Sequence, residues 1–131
     1  TRNRSSAASD VYKRQLIKLL VKENPYKSLE ANAKKLLTEM HREFERKKIP
    51  FSSNQIGGMF GFFFSKKLPK NFTEVVSSSD EHFKKFLNAS IRNGVYFAPS
   101  KFEAGFISTK HTKKEISNTI KIVKNILNEE I

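Results

Sequence analysis

With 131 residues, the chain is long enough for one folded domain and too short for two of ordinary size. A formal net charge of +12 favours anionic partners, whereas the absence of cysteine excludes disulfides, thiolate metal ligands and a cysteine nucleophile. No apolar run approaches the roughly 18 residues of a membrane span, and no secretory signal pattern is present. We therefore expect a soluble, intracellular protein with no membrane partner.

The first 15 residues differ in character from the rest of the chain. They are polar, lack a hydrophobic period and predict a disordered segment. Residues 5–15 (SSAASDVYKRQ) also resemble the translation of a transposase adapter used in sequencing libraries, which would make them non-native. An ordinary disordered N-terminus is the alternative, and we place the start of the folded domain at Leu16.

Two helices are predicted on either side of Asn24-Pro25. Residues 16–21 (LIKLLV) are typical of a helix end, and Pro25 suits the first position of the next helix. That helix extends to about Lys47, because apolar residues recur at spacings of three and four. They are Leu29, Ala33, Leu36, Leu37, Met40 and Phe44. His41, beside this face, is assigned a structural role.

Residues 51–56 and 59–64 predict two strands separated by Gly57-Gly58. A glycine pair in a strand pattern indicates a bulge or the close approach of another backbone or ligand. The second run contains Phe60 and Phe62 to Phe64 and alternates poorly, which predicts cover on both of its faces.

The C-terminal half predicts a loop at residues 65–77, two helices and two short extended segments between them. Ser78 with Glu81, and Thr112 with Glu115, have the spacing of capping boxes at the helix starts. Apolar faces are predicted at Phe83, Phe86, Leu87 and Ile91, and at Ile116, Ile120, Val123 and Leu127. Gly94 suits the left-handed position after the first of these helices, and the second ends near Glu129.

Together these elements predict an α+β fold, a small and mostly antiparallel sheet with helices on one face. The extended segments are residues 95–98 and 105–108. No internal repeat is present.

The residues alone do not complete a catalytic constellation. His41, His82 and His111 lie in different elements, so no metal site is predicted. Glu103 is the most informative residue, because a carboxylate in an apolar segment is expensive to bury without a partner. A turn or N-cap carboxylate paired to backbone amides is the alternative interpretation of Glu103.

Residues 57–64 (GGMFGFFF) and 94–112 (GVYFAPSKFEAGFISTKHT) resemble the C-terminal part of the glutamate-1-semialdehyde 2,1-aminomutase family. This family is among the class-III aminotransferases of pyridoxal-phosphate fold type I, and the resemblance runs from about Leu16 to the C-terminus. It implies a C-terminal small domain at residues 16–131, with the large cofactor domain missing. The implied parent is a homodimeric isomerase that converts glutamate-1-semialdehyde to 5-aminolevulinate, a tetrapyrrole precursor of heme and chlorophyll.

The resemblance also implies which functional groups lie elsewhere. The lysine that forms the imine with pyridoxal 5'-phosphate belongs to the family's large domain, so no cofactor-binding residue is expected here and the chain alone should be inactive. Glu103, in FEAGF, is expected to face the active site and is the one candidate catalytic residue. The parent is expected in the cytoplasm, or in the plastid stroma of a photosynthetic eukaryote.

Two further hypotheses remain beside this one. The hypothesis of a free-standing nucleic-acid-binding module rests on charge alone, and the lysine pairs are dispersed along the chain rather than gathered in one stripe. No RRM, KH or helix-turn-helix signature accompanies them, so no nucleic-acid partner is expected. An interaction domain that kept the fold and lost catalysis is the other alternative.

Overall fold

The computed structural model describes the backbone of residues 2–131 and the side chains of residues 8–131. Along this part of the chain the elements are α1 (Arg2–Glu23), α2 (Tyr26–Arg46), β1 (Ser52–Ile56), β2 (Met59–Phe63), α3 (Phe72–Val76), α4 (Asp80–Arg92), β3 (Gly105–Phe106) and α5 (Lys113–Glu129). No helix in residues 2–131 is both long enough and apolar enough to cross a bilayer.

The sheet is antiparallel, with strand order β1-β2-β3. β1 and β2 form a tight hairpin in which Ile56 pairs with Met59, and Gly57 has a positive φ of 57° that suits the two-residue turn. Gly58 has a different role, because a Cβ there would lie 3.1 Å from the Cβ of Leu29 and 3.2 Å from the carbonyl oxygen of Ile107. The predicted close approach is therefore confirmed, in a hairpin turn rather than a bulge.

The core lies between the sheet and the helices α2, α4 and α5. Helix α2 packs on α5 and on both long strands, and α4 packs on α5. Phenylalanine rings fill the space between them. Phe44 stacks on Phe51 at 4.5 Å, and the ring of Phe62 meets that of Phe86 edge-on at 5.9 Å. Such pairs contribute about 0.5–1.5 kcal/mol each beyond their buried area, and the predicted α+β fold is confirmed.

Burial follows the predicted helical faces with a few exceptions. In α2, Leu36, Met40 and Phe44 are buried, and Leu29 is packed against the core. In α4, Ile91 is half-exposed, which corrects its placement on the core face. On β2, Phe60 and Phe62 are buried whereas Met59 is exposed, so cover is not complete on the second face.

The expectation of a disordered segment at residues 1–15 is not met where the backbone is described, because residues 2–15 belong to α1. No glycine or proline interrupts residues 1–23, and alanine, arginine, glutamine and leucine all have high helix propensity. Along α1, Val11, Ile17 and Val21 are all exposed. Local propensity therefore accounts for this helix, and the adapter-like origin of the segment stays a prediction.

Three predictions between residues 65 and 98 need correction. The N-cap is Ser79 rather than Ser78, and its Oγ accepts a hydrogen bond from the amide of His82. The buried Ser78 donates instead to the carbonyl oxygen of Val75 at 2.7 Å. The predicted loop also contains a short helix, α3, which is capped by Asn71 with Glu74 three residues later. Residues 95–98 form no strand, although Phe97 is buried.

Candidate functional site

The segment from Gly94 to Ile107, which follows α4, is fixed at both of its ends. Gly94, with φ of 80°, ends the helix in the left-handed conformation, as predicted. At the other end, Gly105 pairs with Phe60 of β2, and the amide of Ile107 donates to the carbonyl oxygen of Gly58 at 2.8 Å. A Cβ at Gly105 would lie only 2.5 Å from the Phe60 ring, so this position admits no larger side chain without movement.

The buried charge in this segment belongs to Lys101. Its side chain is 6% exposed, and its Nζ donates to the carbonyl oxygens of Val76 at 2.8 Å and Ser78 at 2.9 Å. Nζ also pairs with Oδ1 of Asp80 at 2.8 Å. The hydrogen bond from Lys101 is the main cause that lowers the pKa of Asp80 below its ordinary value. All three ammonium hydrogens therefore have acceptors, which allows the charge to be buried.

Glu103 has the opposite environment, because it is exposed. Its amide donates to the carbonyl oxygen of Ser100 at 3.0 Å, which closes a turn. Within residues 8–131, its carboxylate has no ion pair or hydrogen bond. The geometry thus provides none of the amide contacts that the turn-carboxylate alternative requires, and the carboxylate is available to a group from outside this part of the chain.

Glu103 lines a cleft of about 420 Å³ between the segment and helix α5. Apolar side chains form much of its wall, including Phe60, Phe97 and Ile116, and polar groups come from Glu103, His111 and Glu115. An apolar cleft with a few polar groups is the usual form of a binding site for a small molecule or a partner segment. The cleft is therefore the candidate functional site.

The polar groups at the α5 end of the cleft serve the local fold. Nδ1 of His111 accepts from the amide of Ser108 at 3.0 Å, which leaves the proton of a neutral ring on Nε2. Thr112 and Glu115 form the predicted capping box. The side-chain hydrogen bond from Thr112 is the main cause that lowers the pKa of Glu115. Glu103 is thus the cleft carboxylate without a described partner.

The histidines do not converge on a common site. His41 Nε2 lies 2.9 Å from Ser53 Oγ, whereas His82 Nδ1 lies 2.9 Å from Ser79 Oγ on another element. No group of three potential metal ligands occurs among the residues that the structure describes. The contact with Ser53, together with an edge-on contact between His41 and Phe51, agrees with a structural role for His41.

The cleft does not fit an imine with pyridoxal 5'-phosphate. No lysine lines it, and the buried Lys101 is occupied by its three acceptors. The cleft thus offers an exposed carboxylate beside apolar side chains, and no lysine in its lining could hold the cofactor covalently.

Lys101 is not among the residues predicted from the sequence. It is a single lysine between Pro99-Ser100 and Phe102, and its apolar neighbours are the available signal. The signal is weak, because the acceptors come from residues 76–80 and are mostly backbone carbonyls, which no side-chain pattern reveals.

Comparison with known proteins identifies relatives of the chain. It is 43% identical over 81 residues to a glutamate-1-semialdehyde 2,1-aminomutase from Nitrosomonas europaea, a match that covers 62% of this chain and 19% of that protein. It is 38% identical over 105 residues to the protein of the same name from Nitrosospira multiformis, covering 80% of this chain and 25% of the relative. No family model matches the chain. The resemblance inferred from residues 57–64 and 94–112 is confirmed: the chain is similar to one part of the glutamate-1-semialdehyde 2,1-aminomutases and spans only a fifth to a quarter of their length.

Proposed function

We propose that this chain is the C-terminal small-domain part of a glutamate-1-semialdehyde 2,1-aminomutase. The observation that carries the proposal is its identity of 38–43% to two proteins of that name, over most of this chain and a minor part of theirs. The parent enzyme would convert glutamate-1-semialdehyde to 5-aminolevulinate as a homodimer, in the cytoplasm or the plastid stroma.

In this proposal the chemistry is divided between two parts of the parent. Pyridoxal 5'-phosphate supplies the electron sink for amino transfer, and its lysine lies in the large domain outside this chain. The small domain supplies the cleft and the carboxylate of Glu103. An exposed carboxylate beside apolar walls can bind the ammonium group of a substrate or orient an amine by accepting its hydrogen bond. The chain alone would be inactive.

A chimeric enzyme tests the proposal. Residues 16–131 would replace the matching segment of the Nitrosospira multiformis aminomutase, and 5-aminolevulinate formation would be measured with the purified holoenzyme. We expect activity in the chimera and none in the isolated chain. A folded chimera with bound cofactor and no turnover would contradict the proposal.

The role of Glu103 is tested in the same chimera. We expect Glu103→Gln to lower kcat/KM by about tenfold or more, the effect of losing roughly 1.4 kcal/mol of transition-state stabilisation. Glu81→Gln is the matched control, because Glu81 is an exposed glutamate on α4 that does not line the cleft. Equal activities in the two variants would make Glu103 a surface residue of no catalytic importance.

A further inference from the structure

We propose that Lys101 is a positioning residue that holds the loop bearing Glu103 at the cleft. The inference rests on the proposed function, because it assigns the loop a part in the aminomutase reaction. Nothing in the resemblance to the aminomutases assigns Lys101 a role, and the argument comes from its contacts.

The contacts fix the ammonium group in one place. Three acceptors surround Nζ, namely the carbonyl oxygens of Val76 and Ser78 and the carboxylate of Asp80, all at 2.8–2.9 Å. The residue is 8% exposed. An ammonium group out of contact with water is strongly destabilised unless such acceptors remain in place. Lys101 therefore cannot leave this position without a large loss of favourable interactions.

These acceptors belong to one structural unit, the α3–α4 corner, defined here as residues 76–80. Val76 is the last residue of α3, and Asp80 is the first residue of α4. The corner is itself attached to the sheet, because the amide of Ser79 donates to the carbonyl oxygen of Phe64 at 3.1 Å, directly after β2. Lys101 thus connects its loop to the rigid part of the fold.

The connection acts close to Glu103. Glu103 follows Lys101 by two residues, and the turn between them is closed by the bond from the Glu103 amide to Ser100. The ring of Phe102 stacks on Phe72 of α3 at 5.4 Å, although both residues are exposed. The next fixed point along the chain is Gly105 in β3. Without Lys101, residues 102–104 would keep one strong attachment instead of two.

The first test measures loop order in the isolated chain and does not depend on activity. Backbone order parameters of residues 102–104 would be compared by NMR between the wild-type chain and Lys101→Met. We expect values in the rigid range, about 0.8, to fall below about 0.6, while those of α5 stay unchanged. Lys101→Arg should retain most of the order. Unchanged order in Lys101→Met would overturn the proposal.

The second test measures the consequence in the chimeric holoenzyme. Lys101→Met should lower kcat by about tenfold, and Lys124→Met, an exposed lysine on α5, is the control. If Lys101 acts through Glu103, its replacement should have little further effect when Glu103→Gln is already present. A purely structural role would instead give multiplicative losses in the double variant, and that result would overturn the proposal.

The two tests separate the inference from the proposed function. An inactive wild-type chimera would end the proposed function and the catalytic part of this inference, while the order parameters would still decide whether Lys101 holds the loop. Should Lys101→Met fail to fold, Asp80→Asn removes the ion pair and keeps both carbonyl acceptors. It should loosen residues 102–104 to an intermediate degree, and a fully rigid loop in this variant would count against the proposal.

Discussion

Lys101 and Glu103 are two residues apart and have opposite environments. The ammonium of Lys101 is buried against Val76, Ser78 and Asp80, whereas the carboxylate of Glu103 is exposed at a cleft and has no partner within residues 8–131. A carboxylate in this apolar segment was expected to need a partner if it were buried, and Glu103 avoids that cost because it is exposed. The buried charge is that of Lys101, whose Nζ has three acceptors. The carboxylate of Glu103 is therefore free to bind a group from outside residues 8–131.

The ion pair between Asp80 and Lys101 should make stability depend on pH in acid. Folding lowers the pKa of Asp80 below its ordinary value, so the unfolded chain takes up the proton first as the pH falls. The contribution of the ion pair to stability is therefore complete at pH values above about 3.8. It is lost as the pH falls through the lower value of the folded state. Urea denaturation at about pH 6 and about pH 3 should therefore show a larger loss on acidification for the wild-type chain than for Asp80→Asn.

Asp10→Asn is the control for this measurement. Asp10 lies 4.0 Å from Lys13 on α1, and both side chains are 66% exposed, so solvent screens the pair. We expect its pH dependence to match that of the wild-type chain. If Asp80→Asn shows the same acid dependence as Asp10→Asn, the pair with Lys101 contributes nothing measurable to stability.

Gly105 should tolerate no side chain. An added Cβ would lie 2.5–2.9 Å from three atoms of the Phe60 ring, which is buried and has little room to move. Gly105→Ala should lower the free energy of unfolding by about 1–3 kcal/mol, the usual range for overpacking. Thermal and urea denaturation measure the effect.

A neighbouring glycine on the same sheet provides the matched control. At Gly61 on β2, an added Cβ would meet only the Phe63 ring at 3.8–3.9 Å, an ordinary contact. Gly61→Ala should therefore be much closer to neutral. A further variant, Gly105→Ala with Phe60→Leu, should recover part of the loss by making space. Equal destabilisation at the two glycines would show that the Phe60 contact is not the cause.

Local patterns in the sequence were sufficient for most of the fold. The period of α2 and the spacing of Thr112 and Glu115 each depend on residues close in the chain, and both predictions were confirmed. Errors arose where neighbouring residues compete for one role. Ser77, Ser78 and Ser79 are chemically equivalent as caps. In the structure Ser77 donates to the carbonyl oxygen of Thr73 and Ser78 to that of Val75, and Ser79 is the N-cap of α4.

The candidate site was predictable only in part. Glu103 was predicted because it interrupts an apolar segment; it is exposed, and its role at the active site stays a prediction. Lys101 was missed because its acceptors lie 21–25 residues earlier in the chain and two of them are backbone carbonyls. A sequence pattern carries no record of such long-range contacts.

The capping box should contribute measurably to α5. Thr112 Oγ1 accepts from the amide of Lys114 at 3.3 Å, and its amide donates to Glu115 at 3.0 Å. Thr112→Ala should destabilise the chain by about 0.5–2 kcal/mol. It should also raise the pKa of Glu115 toward its ordinary value, because the hydrogen bond from Thr112 is the main cause of the lowering. NMR titration of Glu115 follows the second effect.

Thr119→Ala is the control for the capping experiment. Thr119 lies inside α5, and its hydroxyl donates to the carbonyl oxygen of Glu115, which already belongs to the helix. We expect a smaller stability change there and no shift in the pKa of the Glu115 side chain. If the pKa of Glu115 is unchanged in Thr112→Ala, the hydrogen bond from the Thr112 hydroxyl to the Glu115 carboxylate is absent in solution.

The isolated chain should not form an imine with pyridoxal 5'-phosphate at one defined lysine. Its cleft has no lysine in the lining, and Lys101 holds three hydrogen-bond acceptors that it would have to release before its nitrogen could react. Exposed lysines should therefore react weakly and in parallel, without saturation. Absorbance titration followed by borohydride reduction and peptide mass spectrometry would show labels spread over many positions. A saturable change abolished by one Lys→Ala substitution would instead reveal a cofactor site within this chain, and the proposed division of the chemistry between two parts of the parent would have to be abandoned.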